Sequence, residues 1–243
     1  MTKSNIEIRT RDGVAKAGLF GTGPNGCGVI LYMDAFGPRA ALDAMASRLA
    51  GQGYLVLVPD LLYRSGPYGP YDAKTAFSEE KTRGELMAMI SGTTQAMSQR
   101  DTAAFVEALD SAGARGPIGT VGYCMGGARA LNAAAAFPER IAAAASFHGG
   151  HLAADTPDSP ASNAAKIKAR VYVGVAGIDQ SFPPEQSGRL AEALRRAEVD
   201  HIIENYVGMR HGWAVPDHGV FDADGAERHW RRLTTFFGEA LRG

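Results

Sequence analysis

The chain has little of what marks a secreted, metal-binding or membrane protein. Its 243 residues include only two cysteines, Cys27 and Cys124, whereas secreted disulfide frameworks favour more cysteines in a smaller chain. Neither a C-x-x-C nor an H-E-x-x-H motif is present, so we expect no metal site. No stretch approaches the roughly 18 consecutive apolar residues of a membrane span, which excludes a transmembrane helix.

An excess of charge of either sign is also missing. The 25 Lys and Arg residues nearly balance the 26 Asp and Glu residues, leaving a formal net charge of -1. This balance disfavours nucleic acid and anionic lipid as partners. The first residues, Met1–Asn5, carry no apolar signal-peptide stretch, so we expect a cytoplasmic protein that acts on a small molecule. The sequence does not indicate the oligomeric state.

Short β-rich segments alternate with helical patterns along the chain. This alternation predicts an α/β fold with a mainly parallel central sheet and helices on both faces, in a single domain over residues 1–243. The turn Arg11-Asp12-Gly13 predicts an antiparallel hairpin at the start. Apolar residues at helical spacing predict core-facing helices around Leu42 and Trp230. The predicted strands are Ile6–Arg9, Val14–Phe20, Gly28–Met33, Tyr54–Val58, Ile118–Val121, Ile141–Phe147, Val171–Val175 and His201–Tyr206.

The most informative motif is the segment Gly122-Tyr123-Cys124-Met125-Gly126-Gly127. It lies between an apolar strand-like run and an alanine-rich segment that is typical of a helix. A strand, a tight turn with small residues around its central position, and a helix form the context of a nucleophile elbow. Cys124 would then be the nucleophile, with its thiolate favoured by the helix N-terminus. The alternative is that Cys124 is a buried, inert small hydrophobic residue.

A nucleophilic cysteine needs a base and a group that orients the base. Asp179 and His211 each follow a predicted strand, and their order after Cys124 is the order found in α/β hydrolases. His148 also ends a strand and is the rival base, or else a pocket-lining residue. The remaining histidines are expected at loop, strand-edge or helix-surface positions; they are His151, His201, His218 and His229. Asp60 precedes the nucleophile, so it does not fit the order.

The oxyanion of an acyl-transfer reaction needs backbone donors close to the nucleophile. One predicted donor is the N–H of Met125, at the start of the helix after the elbow. The second is expected from the loop after the strand Gly28–Met33, at Ala35 or Phe36.

Together these motifs resemble the dienelactone hydrolase family of α/β hydrolases. The resemblance rests on the cysteine elbow and on three further segments, Val58-Pro59-Asp60-Leu61, Gly177-Ile178-Asp179 with Pro183 close behind, and His211-Gly212. It implies an α/β-hydrolase fold, a Cys124–Asp179–His211 triad, an acyl-cysteine intermediate and no cofactor.

This chain departs from the family pattern at two positions. Family members carry a glutamate after the first parallel strand that contacts the resting cysteine, and this chain has the shorter Asp34, which is either such a group or a loop carboxylate. Family members also bind the substrate carboxylate with arginines, one of them shortly after the histidine, and no arginine stands there in this chain. Arg64, Arg83 and Arg210 could supply a cation from elsewhere, with a solvated surface position as the more common alternative for each. Other residues expected to bind or activate the substrate are Phe36, Tyr123, His148 and Trp213.

We therefore predict a hydrolase of an ester, lactone or related acyl substrate. Phe182 and Trp213 favour an apolar pocket and a less charged substrate than a dienelactone. The alternative is a non-hydrolytic protein on the same fold, in which Cys124 is a redox-responsive thiol or the pocket only binds a ligand.

Overall fold

A computed structural model describes residues 3–21 and 26–242 and contains an eight-stranded sheet. The strands are β1 (Lys3–Thr10), β2 (Gly13–Phe20), β3 (Gly28–Tyr32), β4 (Leu55–Pro59), β5 (Ile118–Tyr123), β6 (Ile141–Phe147), β7 (Arg170–Ile178) and β8 (His201–Arg210). All eight predicted strands are confirmed, with ends that differ by a few residues. The helices are α1 (Ala40–Ala50), α2 (Glu80–Gly92), α3 (Gln95–Ser111), α4 (Met125–Ala136), α5 (Pro184–Arg196) and α6 (Ala223–Arg242), and 3-10 turns cover Tyr63–Ser65 and Ala161–Lys166.

The strand order across the sheet is β1-β2-β4-β3-β5-β6-β7-β8. The predicted hairpin is confirmed, since β1 and β2 pair antiparallel from Lys3↔Phe20 to Thr10↔Gly13. β2 also pairs antiparallel with β4, and all pairs from β4 to β8 are parallel. This topology, with helices packed around the sheet, is the α/β-hydrolase fold.

The central strands are buried because their sequences are apolar on both faces. Every residue of β3, β4 and β5 is buried. An ion pair between Arg48 and Glu227 links α1 to α6, and α3 packs against α4. The two predicted apolar helix faces are confirmed, since Leu42 in α1 and Trp230 in α6 are buried in the core. Within the described part of the chain, none of the helices combines the length and apolarity that a membrane crossing requires.

The parallel strands β3, β5, β6, β7 and β8 all end at one edge of the sheet. The loops that follow them carry Asp34, Cys124, His148, Asp179 and His211, so the topology gathers these residues without any long excursion of the chain. Open α/β sheets place their sites at this edge.

Candidate active site

Cys124 occupies a strained turn between β5 and α4. Its backbone angles are φ 56 and ψ -121, in the left-handed region that a residue with a side chain rarely adopts. The turn places the partly exposed Cys124 directly before the first residue of α4, where the helix dipole favours a negative charge. This is the conformation that the nucleophile-elbow motif predicts.

The glycines around Cys124 are required by close backbone packing. A Cβ added to Gly122 would lie 1.9 Å from the carbonyl oxygen of Gly126, and one on Gly126 would lie 2.3 Å from the carbonyl oxygen of Tyr32. Real Cβ atoms do not approach so closely, so neither position accepts a larger residue without moving the backbone. The second contact also presses the elbow against the end of β3.

Asp179 and His211 form a hydrogen-bonded pair. Nδ1 of His211 lies 2.7 Å from Oδ2 of Asp179. Ser181 fixes the other carboxylate oxygen, because its N–H and its hydroxyl both donate to Oδ1, at 2.8 and 2.6 Å. Burial alone would raise the pKa of Asp179, but the hydrogen bond and charge of His211, together with the hydrogen bonds from Ser181, outweigh burial and lower the pKa. Asp179 is therefore an ionised carboxylate that orients the imidazole.

His211 is charged in this arrangement. Burial disfavours its protonated form, but the adjacent Cys124 and the carboxylate of Asp179 together raise the pKa of His211 to about 10. Its side chain is partly exposed, whereas that of Asp179 is buried. In the Asp179–His211 pair the carboxylate therefore lies inside and the imidazole lies towards the surface, beside Cys124.

His148 supports the elbow from the end of β6. Its Nδ1 accepts a hydrogen bond of 3.1 Å from the backbone N–H of Cys124, and its ring contacts those of His211 and Trp213 edge-on. Burial, and then the nearby charge of His211, hold the pKa of His148 well below its ordinary value. Because Nδ1 of the neutral His148 accepts from the Cys124 N–H, its Nε2 carries the proton, which leaves His211 as the candidate base.

Asp34 is enclosed by a network that the sequence analysis did not anticipate. Its carboxylate receives two hydrogen bonds from Arg39, at 2.7 and 2.9 Å, and lies 2.9 Å from Nε2 of His218. Arg39 makes a second two-point contact, with Asp217, at 2.6 and 2.8 Å. Although burial raises the pKa of Asp34, the bonds from His218 and Arg39 outweigh it and lower the pKa. Asp34 is thus a buried, ionised carboxylate that is hydrogen-bonded to Arg39, His218 and the backbone N–H of Phe36.

The predicted oxyanion donors lie at the junction of the elbow and the β3 loop. The N–H of Phe36 donates to Oδ1 of Asp34, at 3.1 Å, so Phe36 is already engaged. Among the described residues, no protein acceptor pairs with the N–H of Ala35 or of Met125. Of the two residues proposed in the β3 loop, Ala35 is the one whose donor is available for a substrate.

The rim above these groups is aromatic. The ring of Phe36 packs edge-on against Phe77 and against His218, with centroids 5.3 Å apart in both pairs. Tyr68 covers Gly37, where an added Cβ would lie 2.6 Å from the tyrosine hydroxyl oxygen. The long segment between β4 and α2 therefore borders the site.

Several residues proposed for substrate binding lie elsewhere. Tyr123 is fully buried and its hydroxyl is 2.8 Å from Nε2 of His229, so its side chain points into the core. Trp213 is also fully buried, beneath His148. Arg64 is held by Asp12 and Asp101 in two salt bridges. The structure corrects these predictions because strand alternation, packing and ion pairing, rather than sequence distance from Cys124, decide where each side chain points.

Two other arginines considered as substrate cations, Arg83 in α2 and Arg210 at the end of β8, are exposed. Among the histidines, His229 was expected on a helix surface, but it is fully buried in α6. The hydrogen-bond network of the candidate site also includes Arg39, Asp217 and Ser181, which the sequence analysis did not select. Arg39 follows Gly37-Pro38 only five residues after Asp34, and that spacing was an available signal.

In residues 3–21 and 26–242, no three His, Cys, Asp or Glu side chains are grouped as metal ligands.

Comparisons with known proteins find relatives over most of the chain. The model of the dienelactone hydrolase family matches residues 18–241. A Synechocystis protein named "Putative carboxymethylenebutenolidase" is 24% identical over 224 residues, covering 88% of this chain and 86% of its own length.

Solved structures share the fold. A Klebsiella pneumoniae protein named "Putative Dienelactone Hydrolase" superposes with a TM-score of 0.83 at 22% identity, over 98% of both chains. The dienelactone hydrolase-like promiscuous phosphotriesterase P91, from metagenomic libraries, superposes with a TM-score of 0.80 at 24% identity, over 99% of this chain and 100% of its own. At these identities the two structures establish the fold alone.

Proposed function

This chain belongs to the dienelactone hydrolase family, and we propose that it hydrolyses an ester, lactone or related acyl substrate through a Cys124–His211–Asp179 triad. The observation that carries the proposal is the 2.7 Å contact between His211 and Asp179 beside a partly exposed cysteine on a left-handed turn. A nucleophile, a charged imidazole and an orienting carboxylate in this order are the parts that acyl transfer needs.

In the proposed reaction, the thiolate sulfur of Cys124 attacks the substrate carbonyl carbon, and the carbonyl π electrons move to oxygen. The N–H groups of Met125 and Ala35 stabilise that oxyanion. When the tetrahedral intermediate collapses, the carbon–oxygen bond to the leaving alcohol breaks and the His211 imidazolium donates its proton to that oxygen. The product of this half-reaction is an acyl-cysteine and a free hydroxyl group.

The second half-reaction uses water as the nucleophile. The neutral His211 takes a proton from water, whose oxygen attacks the acyl carbon of the thioester. Collapse of the second tetrahedral intermediate breaks the carbon–sulfur bond, returns the thiolate to Cys124 and releases the carboxylic acid. Asp179 keeps Nε2 of His211 directed at the thiol and the substrate by holding Nδ1.

The substrate is proposed to be uncharged or weakly charged near the reacting carbonyl. Arg39 is the cation closest in sequence to the oxyanion loop, and it makes five hydrogen bonds, to Asp34, Asp217 and the carbonyl oxygen of Gly37. An arginine has five N–H donors, so Arg39 has none left for a substrate carboxylate. The aromatic rim at Phe36 and Phe77 suits an apolar acyl or alcohol group.

The test compares p-nitrophenyl acetate and a dienelactone as substrates of the wild type, Cys124→Ala and His211→Gln. We expect both variants to lose activity by about a thousandfold or more while remaining folded, and we expect the acetate to be the better substrate. Cys27→Ala is the matched control, because Cys27 donates to the carbonyl of Leu241 and lies outside the site. Intact-mass analysis should detect an acyl adduct that disappears in Cys124→Ala.

Two results would contradict the proposal. Full activity in folded Cys124→Ala would exclude Cys124 as the nucleophile. Oxidation of Cys124 to a sulfenic acid or mixed disulfide, with no adduct and no turnover of either substrate, would favour the redox-responsive thiol instead.

A further inference from the structure

Helix α4, which begins immediately after the nucleophile, carries a buried arginine. Arg129 is only 7% exposed. Its Nη1 donates to the carbonyl oxygen of Met125, at 3.3 Å, and its Nη2 donates to the carbonyl oxygen of Thr93. Its Nε has no hydrogen-bond partner within the described ranges. The guanidinium is therefore held by backbone carbonyls alone.

An arginine buried to this degree normally has a carboxylate partner. The other two well-buried arginines of the structure follow that rule, since Arg39 pairs with Asp34 and Asp217, and Arg64 pairs with Asp12 and Asp101. For Arg129, by contrast, no carboxylate in residues 3–21 or 26–242 forms a salt bridge. A buried cation that lacks a counter-ion calls for an anion nearby.

The position of Arg129 indicates which anion that is. Long side chains in a helix point back towards its N-terminus, and the bond to the Met125 carbonyl shows that the guanidinium does so here. Its charge therefore lies towards the helix end that carries Cys124 and the oxyanion donor of Met125. Burial lowers the pKa of Arg129 to about 10, against the opposing attraction of Cys124 and, less strongly, of the exposed Asp158. Arg129 remains a cation at neutral pH.

We propose that Arg129 is a positioning residue that keeps Cys124 as a thiolate in the resting protein and acts through that charge on the acyl transfer. The inference rests on the proposed function, in which Cys124 is the nucleophile. It assigns to a buried cation behind the elbow the activating role that the family resemblance assigned to the carboxylate of Asp34, which is occupied by Arg39 and His218.

The other ionisable groups around Cys124 come from four loops. His211, with Asp179 behind it, is the imidazolium partner, and His148 is neutral and accepts from the Cys124 N–H. The negative charge of Asp34 is offset by Arg39. Arg129 therefore adds a positive charge that is independent of His211 and that has no titrating partner of its own within α4.

The test follows the rate of Cys124 alkylation by iodoacetamide as a function of pH, with peptide mass spectrometry to separate Cys124 from Cys27. Only the thiolate reacts, so the pH midpoint of the rate reports the thiol–thiolate balance. We expect Arg129→Gln and Arg129→Met to raise the midpoint by about one pH unit or more, which slows alkylation about tenfold at a pH below it. Arg129→Lys should stay closer to the wild type than either neutral variant.

Arg140→Met is the matched control for the loss of an arginine, because Arg140 pairs with Asp110 just before β6, at the opposite edge of the sheet. Its midpoint should equal that of the wild type. An unchanged midpoint in either folded neutral variant would overturn the proposal. Alkylation needs no turnover, so this failure is distinct from a failure of the proposed hydrolase activity, which Cys124→Ala tests.

A second measurement covers the case in which the neutral variants do not fold. In His211→Ala the imidazolium is gone while Arg129 remains. The proposal expects a midpoint that stays below the ordinary cysteine value of about 8.5. A midpoint at or above that value in folded His211→Ala would overturn the proposal, because Arg129 would then not keep Cys124 as a thiolate by its own charge.

Discussion

Arg39 donates to both carboxylate oxygens of Asp34, at 2.7 and 2.9 Å, and so neutralises a fully buried acid beside the candidate active site. Its other contact, with Asp217, joins the loop after β3 to the loop that follows His211. These two loops carry Ala35, the predicted oxyanion donor, and His211, the proposed proton carrier. The bidentate geometry therefore fixes the relative positions of these two residues.

The first prediction concerns this link. Arg39→Met should lower the free energy of unfolding by about 3–5 kcal/mol, because it leaves the Asp34 charge buried with only His218 and one backbone N–H. Urea denaturation measures the change. Arg48→Met is the matched control, since Arg48 pairs with Glu227 on the surface and its removal should cost at most about 1 kcal/mol. Equal costs for the two variants would show that the Arg39 network does not hold the loops.

The second prediction concerns the packing of the elbow. Gly122→Ala should lower the stability by about 3 kcal/mol or more, or prevent folding, because the new Cβ would lie 1.9 Å from the carbonyl oxygen of Gly126. Gly84→Ala in α2 is the matched control, because the same atom there has no neighbour within 4 Å. That change should stabilise the protein by about 0.5–1 kcal/mol. Thermal unfolding of the two variants should therefore shift in opposite directions.

The sequence predicted the strands, and the placement of Cys124, Asp179 and His211 at one edge of the sheet, because both follow from local rules. Continuous apolar runs gave the buried strands, and the glycines at 122, 126 and 127 gave the elbow. Asp179 and His211 directly follow β7 and β8, so the strand ends were enough to bring them to one edge.

The network around Asp34 could not be predicted in this way. It depends on Asp217 and His218, which lie 183 and 184 positions after Asp34 in the chain and meet it only in three dimensions. Tyr123 also shows that distance in the sequence does not decide which residues are in contact. It adjoins the nucleophile in sequence, yet the alternation of β5 turns its side chain into the core against His229.

The third prediction concerns His229. Its Nδ1 is 3.1 Å from the carbonyl oxygen of Ala226, and burial lowers the pKa of His229 to about 3. The unfolded chain binds this proton near pH 6.5, so the stabilisation is complete above pH 6.5 and is lost as the pH falls towards 3. His229→Gln should reduce the slope of unfolding free energy against pH in this window by up to about 1.4 kcal/mol per pH unit.

Tyr123→Phe separates this effect from the hydrogen bond. It removes the hydroxyl that contacts Nε2 of His229 but leaves the buried imidazole. It should therefore lower the stability at every pH and keep the slope. A slope in His229→Gln as steep as that of the wild type would mean that other groups carry the acid sensitivity.

The fourth prediction concerns the pH dependence of hydrolysis. The acylation step needs a protonated His211 to release the alcohol, and the pKa of His211 is raised to about 10 despite its burial, by Cys124 first and by Asp179 next. The ratio kcat/KM should therefore persist to about pH 10 and fall above it as the imidazolium loses its proton. Asp179→Asn removes part of that stabilisation, so its alkaline limb should move to lower pH and its maximum should be smaller. His148 is already neutral in this range and adds no limb of its own. If the alkaline limb stays in place in folded Asp179→Asn, Asp179 does not raise the pKa of His211. The 2.7 Å contact between the two residues would then have no catalytic role.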